Sequence, residues 1–381
     1  MNRFFAFAKR EAMLFVSLLA AVIALFITPP SLRLLQDIDW KTIATLFMML
    51  TVLEGFKSEN IFMPVIRLTR NIRSQAGLSL FLVFGVFFSS MFVTNDVSLI
   101  IFVPLTILLF RAGGKEKYIL PVISMENIAA IRGSMLMPFG SPQNLFLFSQ
   151  SGVSAGRFIL HMAPLCVLSA GLLVGYVFLL YRKEKDRSVT IGSEAGGTPW
   201  QPERRRHRVT YLALFALVLL TIVTRTPLWP YVTAVVAVTI LITDSSVLRR
   251  TDYVLLLTFL CFFVFSSSVA ANPDIGGFLK RSVSGREYWW SILLSQVISN
   301  VPAAIVLYPF SGNLAGLLYG LDTAGLCSLI GSLASVINYR IYVREYPEQG
   351  MAFIKVFTAV SLIFFAAVVL PGFFLSAWPF C

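Results

Sequence analysis

The chain is poor in the residues that carry most chemistry. Of its 381 residues four are Cys and two are His, and only 13% are charged. Cys166, Cys261, Cys327 and Cys381 are scattered with no CxxC pair, so neither a disulfide framework nor a zinc site is suggested. His161 and His207 give too little material for histidine-based metal or proton-relay chemistry, and nothing speaks for an intramembrane enzyme or an organic cofactor. The shortage of charge, set against 57% hydrophobic residues and 34 Phe, excludes an ordinary soluble domain and places the chain in a lipid bilayer.

Apolar runs of spanning length cover 12–30, 40–56, 118–150, 158–181, 209–224, 228–243, 252–270, 313–339 and 351–372. Two more, 76–110 and 288–310, are split by small polar residues. The pattern predicts nine spans and two hairpins. The first run is too long, and lacks the small-residue cleavage pattern, for a removable signal peptide, so it is kept as a span. A net charge of +12 raises the question of a polyanionic partner, and its distribution answers it. With a cytoplasmic N-terminus and each hairpin entering and leaving on one side, the inner loops hold 22 Lys and Arg and the outer loops seven. Arg132 and Lys355 complete the 31. That bias follows the positive-inside rule, so the charge reports topology rather than nucleic acid, and the C-terminus falls outside.

The two split runs break at Phe92-Val-Thr-Asn-Asp-Val-Ser-Leu99 and Val297-Ile-Ser-Asn-Val-Pro-Ala-Ala304. At membrane depth an interrupted backbone survives only where protein or a watery cavity satisfies its N–H and C=O groups. Two matched interruptions therefore point to one shared site and to a transporter built of repeats. The predicted fold is an all-α polytopic membrane protein of two inverted repeats, each with a re-entrant helical hairpin and a discontinuous transmembrane helix. The first repeat is 1–181, with a cytoplasm-entering hairpin at 76–110 and a broken helix at 118–150. The second is 209–381, with an outside-entering hairpin at 288–310 and a broken helix at 313–339. The charged, Gly-rich stretch 182–208 between them reads as a cytoplasmic linker. Each half also has a span opening on an acidic-aromatic pair, Asp39-Trp40 and Asp252-Tyr253.

At the tips, Thr94, Asn95, Asp96, Ser299 and Asn300 stand where each hairpin's second arm begins, and such side chains cap helix N-termini. Pro302 fits the first turn of such a helix. Two uncovered N-termini aimed at one cavity make a seat for an anion. In the first broken helix Pro138, Gly140 and Pro142 force the chain to unwind, and the freed carbonyls with Ser141 and Asn144 can ligate a cation or an oxyanion. The second offers Gly331, Ser332 and Ser335 without proline, so a small-residue packing face competes with a break.

The segments FVTNDVSLIIFVPLT, GSMLMPFGSPQNLFLF and SQVISNVPAAIVL resemble the hairpin and unwound-helix motifs of the ion transporter superfamily. That superfamily holds arsenite permeases, NhaD-type antiporters and citrate and divalent-anion symporters, and the likeness is nearest to its small bacterial YbiR-type members. The resemblance implies a scaffold part and a moving transport part, elevator-type movement, a homodimer and a bacterial inner membrane. In the sodium/dicarboxylate branch both tips read Ser-Asn-Thr, and here only the asparagines, Asn95 and Asn300, match at both tips. Asp96 instead resembles the Asn-Asp of arsenite permeases. A sodium ion would fall to Asn95, Asp96 and Asn144.

A carboxylate near the bilayer centre costs roughly 2.5–3.5 kcal/mol on insertion scales, so Asp96 reads as a proton or sodium carrier, with a plain N-cap as the alternative. Arg132 and Asp322 precede Gly140 and Gly331 by eight and nine residues. Helical rise sets each about 12–13 Å from its break. Inverted repeats put those offsets in opposite leaflets, which predicts snorkelling of each to its own interface rather than a pair. Glu54 and Glu126 read as interfacial, and Trp40, Trp229, Trp289, Trp290 and Trp378 as an interface belt. The function expected is ion-coupled secondary transport of a small anion or oxyanion, with a sodium/proton antiporter of the NhaD kind as the alternative.

Overall fold

The computed structural model describes residues 12–27, 38–59, 72, 74–182, 205–378 and 380. Sixteen α-helices account for most of them. The first half runs α1 (Ala12–Ile27), α2 (Trp40–Ser58), α3 (Gln75–Val93), α4 (Asn95–Ala112), α5 (Ile119–Ser134), α6 (Pro142–Gln150) and α7 (Ala155–Leu180). After α8 (Arg205–Thr224) come α9 (Trp229–Arg250), α10 (Tyr253–Ala271), α11 (Pro273–Val283), α12 (Glu287–Ile298) and α13 (Asn300–Leu307). The chain ends with α14 (Leu314–Ala324), α15 (Leu333–Glu345) and α16 (Gly350–Ser376). The start of α8 lies inside the stretch read as a linker, and residues 183–204 of that stretch fall outside the described residues.

The repeat is visible element by element. Hairpin α3–α4 corresponds to α12–α13, broken helix α5–α6 to α14–α15, and closing span α7 to α16. Even the caps match. Asp39 and Asp252 hold backbone dihedrals of (−75°, 80°) and (−77°, 82°), and each side chain accepts from the N–H three residues on, Thr42 and Leu255. This is the ordinary work of an N-cap carboxylate, and it explains why each span opens on its acidic residue.

Seven described helices are long and apolar enough to cross a membrane: α3, α4, α7, α8, α9, α10 and α16. The other expected spans differ for stated reasons. Helix α1 has 16 residues, α2 carries Lys41, Glu54 and Lys57 within 19, and the breaks divide the remaining two.

Packing exchanges the halves. Helix α1 lies on α10 and α9 on α2, while α4 packs against α15 and α13 against α6. Two groups result: α1, α2 and α8–α10 on one side, and α3–α7 with α12–α16 on the other. Within the second group α5 and α14 are buried along almost their whole length. A helix covered on every face is a core helix, and these two end at the breaks.

Candidate functional site

The two hairpin tips share one unusual backbone. Thr94 (φ 73°, ψ 156°) and Ser299 (φ 69°, ψ 161°) both hold a positive φ without being glycine. Such a conformation is costly for an L-residue and persists where the surroundings enforce it. In this geometry neither side chain caps the following helix, which corrects the expectation that the tip residues serve as caps. Instead Asn95 Oδ1 accepts from the Asp96 N–H at 2.9 Å, and the Asn300 N–H donates to Gly331 O at 3.2 Å. The second tip is thus tied to the second break. Asp96 is half-buried in the first turn of α4, so it is not the cap either.

Both broken helices unwind, over residues 135–141 and 325–332. The second break settles the competition with a small-residue packing face in favour of unwinding. Gly140 and Gly331 occupy the same place in each: a Cβ there would strike the carbonyl of the last residue of the preceding helix, Ser134 or Ala324. The following residues Ser141 and Ser332 are extended, with φ of −146° and −145°. Pro142 then takes the first position of α6, where its missing N–H is no loss.

Buried polar atoms almost always find partners, so those that do not are informative. Six of the nine expected site residues hold one: Asp96 Oδ1, Ser141 Oγ, Asn144 Oδ1, Ser299 Oγ, Asn300 Nδ2 and Ser332 Oγ. The Ser335 hydroxyl is satisfied instead, accepting from Asn127 Nδ2 at 3.0 Å. Thr94 contributes only its carbonyl, to Ser98 Oγ at 3.0 Å.

Three acidic or basic residues are placed differently from expectation. Arg132 and Asp322 do not snorkel; both side chains are 0% exposed and feel one another's charge. They lie two residues before the ends of α5 and α14, the two core helices that the repeat relates, so the depth argument that separated them fails. Asp322 accepts from Gln143 Nε2 at 3.3 Å and Asn144 Nδ2 at 3.4 Å. Glu126 is likewise fully buried rather than interfacial, and accepts from Thr106 Oγ1. Glu54 does lie at a helix end, paired with Lys57 at 3.1 Å and Arg250 at 3.7 Å. The matched offsets and opposite signs of Arg132 and Asp322 were the available signal.

Two cavities separate the helix groups. The larger, 540 Å³, runs from Ser299, Val301 and Pro302 at the second tip past Leu333 and Ile337 to Lys57, Arg250, Asp252 and Arg340. The smaller, 430 Å³, is lined by Asp39, Phe146, Gln150, Ser266, Ala271 and Tyr308. Ile305 on α13 belongs to both walls. Asp96 lies within electrostatic reach of Asp252 and Lys57 at the larger one.

Residues 4–331, which hold these hairpins and breaks, match the family described as citrate transporter. The chain belongs to the citrate transporter family. It is thus a multi-pass membrane transporter. Among family relatives, it is 28% identical over 331 residues to the uncharacterized transporter MJ0456 of Methanocaldococcus jannaschii, covering 86% of this chain and 88% of the relative. It is 30% identical over 308 residues to the inner membrane protein YbiR of Escherichia coli, covering 80% of each. The crystal structure of the YdaH transporter from Alcanivorax borkumensis, described as having an unusual topology, aligns with a TM-score of 0.52 over 97% of this chain and 98% of that one. At 16% identity that likeness speaks for the fold of this citrate transporter family member alone.

Proposed function

We propose that this protein is an ion-coupled secondary active transporter of a small anion or oxyanion, whether a carboxylate, an arsenite-like species or another inorganic anion. One observation carries the substrate class. The larger cavity leads to the second tip from a rim that presents Lys57, Arg250 and Arg340 beside Asp252, with Lys57 and Arg250 paired with Glu54, and Arg250 also with Asp244. Basic side chains lining a cleft with low-dielectric walls draw anions in, to the extent that carboxylates do not already meet their charge. At its floor, the first turns of α13 and α15 add N–H donors and a partial positive charge.

Transport then proceeds by elevator-type movement of α3–α7 and α12–α16 against α1, α2 and α8–α10, driven by protons or sodium. Thr94, Asn95, Asp96, Ser141, Asn144, Ser299, Asn300, Ser332 and Ser335 are the proposed site, with sodium, if it is the coupling ion, at Asn95, Asp96 and Asn144. The repeats are 1–181 and 209–381, joined by 182–208. We place the protein as a homodimer in a bacterial inner membrane, N-terminus cytoplasmic and C-terminus outside, with no nucleic-acid partner. The grouping of loops supports this orientation. Lys57, Arg250 and Arg340, from three loops assigned to the cytoplasm, line one cavity, whereas Asp39, Ala271 and Tyr308 line the other.

A sodium/proton antiporter of the NhaD kind is the second reading, favoured by the two carboxylates Asp96 and Asp252, which feel one another's charge. Uptake into proteoliposomes separates the two. The assay uses labelled citrate, succinate, sulfate and arsenite under imposed proton or sodium gradients. Saturable, gradient-driven uptake of one of them, weakened several-fold by Arg340→Gln, is the expected result. Sodium-driven proton movement with no anion uptake would transfer the conclusion to the antiporter.

A further inference from the structure

Asp322 and Arg132 carry opposite charges at repeat-related positions, wholly buried and within electrostatic reach of one another. In its ionised form, which the Arg132 charge favours, Asp322 can only accept hydrogen bonds, and in that form the two amides that meet it have no choice of orientation. Gln143 must turn its NH2 to Oδ1 and Asn144 its NH2 to Oδ2. Their carbonyl oxygens are thereby turned away from Asp322. Gln143 Oε1 and Asn144 Oδ1 are buried without a partner, as is Ser141 Oγ at the cap of the same helix. Three unmet oxygens therefore stand at the start of α6, and the side chain that fixes two of them comes from the other repeat.

We infer that Asp322, with Arg132 as its counter-charge, is a positioning residue of the transport site: it sets the amide faces that Gln143 and Asn144 present at the first break. The inference rests on the site proposed above, since Asn144 belongs to it. It also makes a specific claim about one atom. In Asp322→Asn, Oδ1 can remain an acceptor for Gln143, but an NH2 group replaces Oδ2 and meets the NH2 of Asn144. Donor then faces donor, and Asn144 must flip or move. Adding Asn144→Asp reverses donor and acceptor, restores that hydrogen bond, keeps an oxygen turned outward and returns a negative charge to the neighbourhood of Arg132.

The test compares wild type, Asp322→Asn, and Asp322→Asn combined with Asn144→Asp. Uptake kinetics are measured with the anion that wild-type proteoliposomes accumulate, and hydrogen exchange of the α6 backbone amides is measured on purified protein without any ligand. Asp322→Asn is expected to raise KM about tenfold while Vmax changes less than about threefold, and to speed exchange in α6. The paired variant should recover KM to within about threefold and slow the exchange again. A role confined to folding would lower the amount of inserted protein and leave KM unmoved. Wild-type KM in Asp322→Asn, or a paired variant that inserts but stays as impaired as the single one, overturns the inference. So does failure of both variants to insert, which would make Asp322 purely structural. If wild type takes up none of the anions, the anion reading fails and the exchange measurement still decides on Asp322.

Discussion

Gln150 Nε2 donates to Asp39 Oδ2 at 2.6 Å, tying the end of α6 to the cap of α2 across 111 residues. Ser149 Oγ reaches the same oxygen at 3.1 Å. Arg225, from the turn between α8 and α9, adds a second clamp: its guanidinium lies 4.1 Å from the Phe148 ring centre and donates to Phe148 O at 2.7 Å and to the carbonyls of Ser151 and Val153. One end of the α6 segment is thus pinned to the other helix group. At the opposite end, Arg340 holds the register position of Ser149, eight residues after Ser332 as Ser149 is after Ser141, and it lines the larger cavity with Asp252.

If the two groups slide, the pinned end must release. With the four native cysteines replaced by Ala, Asp39→Cys combined with Gln150→Cys should form a disulfide in the resting protein and stop uptake until reduced. The pair Asp252→Cys with Arg340→Cys, in which Arg340 holds the register position of Ser149, should cross-link chiefly during turnover. Full uptake with the first disulfide intact would show that α6 and α2 do not part.

The breaks give a second expectation. Gly140→Ala and Gly331→Ala place a methyl group on a helix-terminal carbonyl, an overlap that costs typically 1–3 kcal/mol. Each should cut uptake at least tenfold with insertion preserved. Pro142→Ala should cost less than about threefold, because Pro142 occupies a first-turn position that asks nothing of its N–H. Equal losses in all three would mean that Pro142 matters to the break as much as the glycines do.

These glycines also show where sequence reasoning carries and where it stops. Hairpins, breaks and span starts were legible because each is local: Asp39 and Asp252 open their helices, and the Pro-Gly cluster at 138–142 cannot stay helical. The burial of Arg132 and Asp322 was not legible, since measuring each residue from its own break gives depth along one helix and says nothing about how far the partner helix is shifted. Glu126 misled for a related reason. A buried carboxylate that finds Thr106 on a neighbouring helix looks, in one dimension, like one placed at an interface. The positive φ at Thr94 and Ser299 has no sequence signature, as neither is glycine.

Sidedness is open to direct test. Single cysteines introduced across 182–208 should react with an impermeant thiol reagent only from the cytoplasm, and those across 271–287 only from outside. Labelling of both stretches from one face would require an even number of crossings between them and would remove the proposed inversion.

Asp96 provides the sharpest separation of binding from coupling. Its Oδ1 is buried without a hydrogen-bond partner, on a hairpin arm whose first turn carries no side-chain cap. Asp96→Asn keeps the size of the side chain and an acceptor oxygen, so the tip, already organised by Asn95 Oδ1 on the Asp96 N–H, should still form. What Asn cannot do is release a proton or neutralise a cation. Gradient-driven accumulation should therefore fall to background, while exchange of labelled for unlabelled anion across the membrane persists in part. Should protons be the coupling ion, wild-type uptake will vary with pH and need no sodium. Should sodium be, Asp96→Asn will lose its sodium dependence along with accumulation. Accumulation at the wild-type level by Asp96→Asn under the same imposed gradient would reduce Asp96 to a helix-end charge and shift the coupling site to Asn95, Asn300 and the Ser141–Asn144 segment.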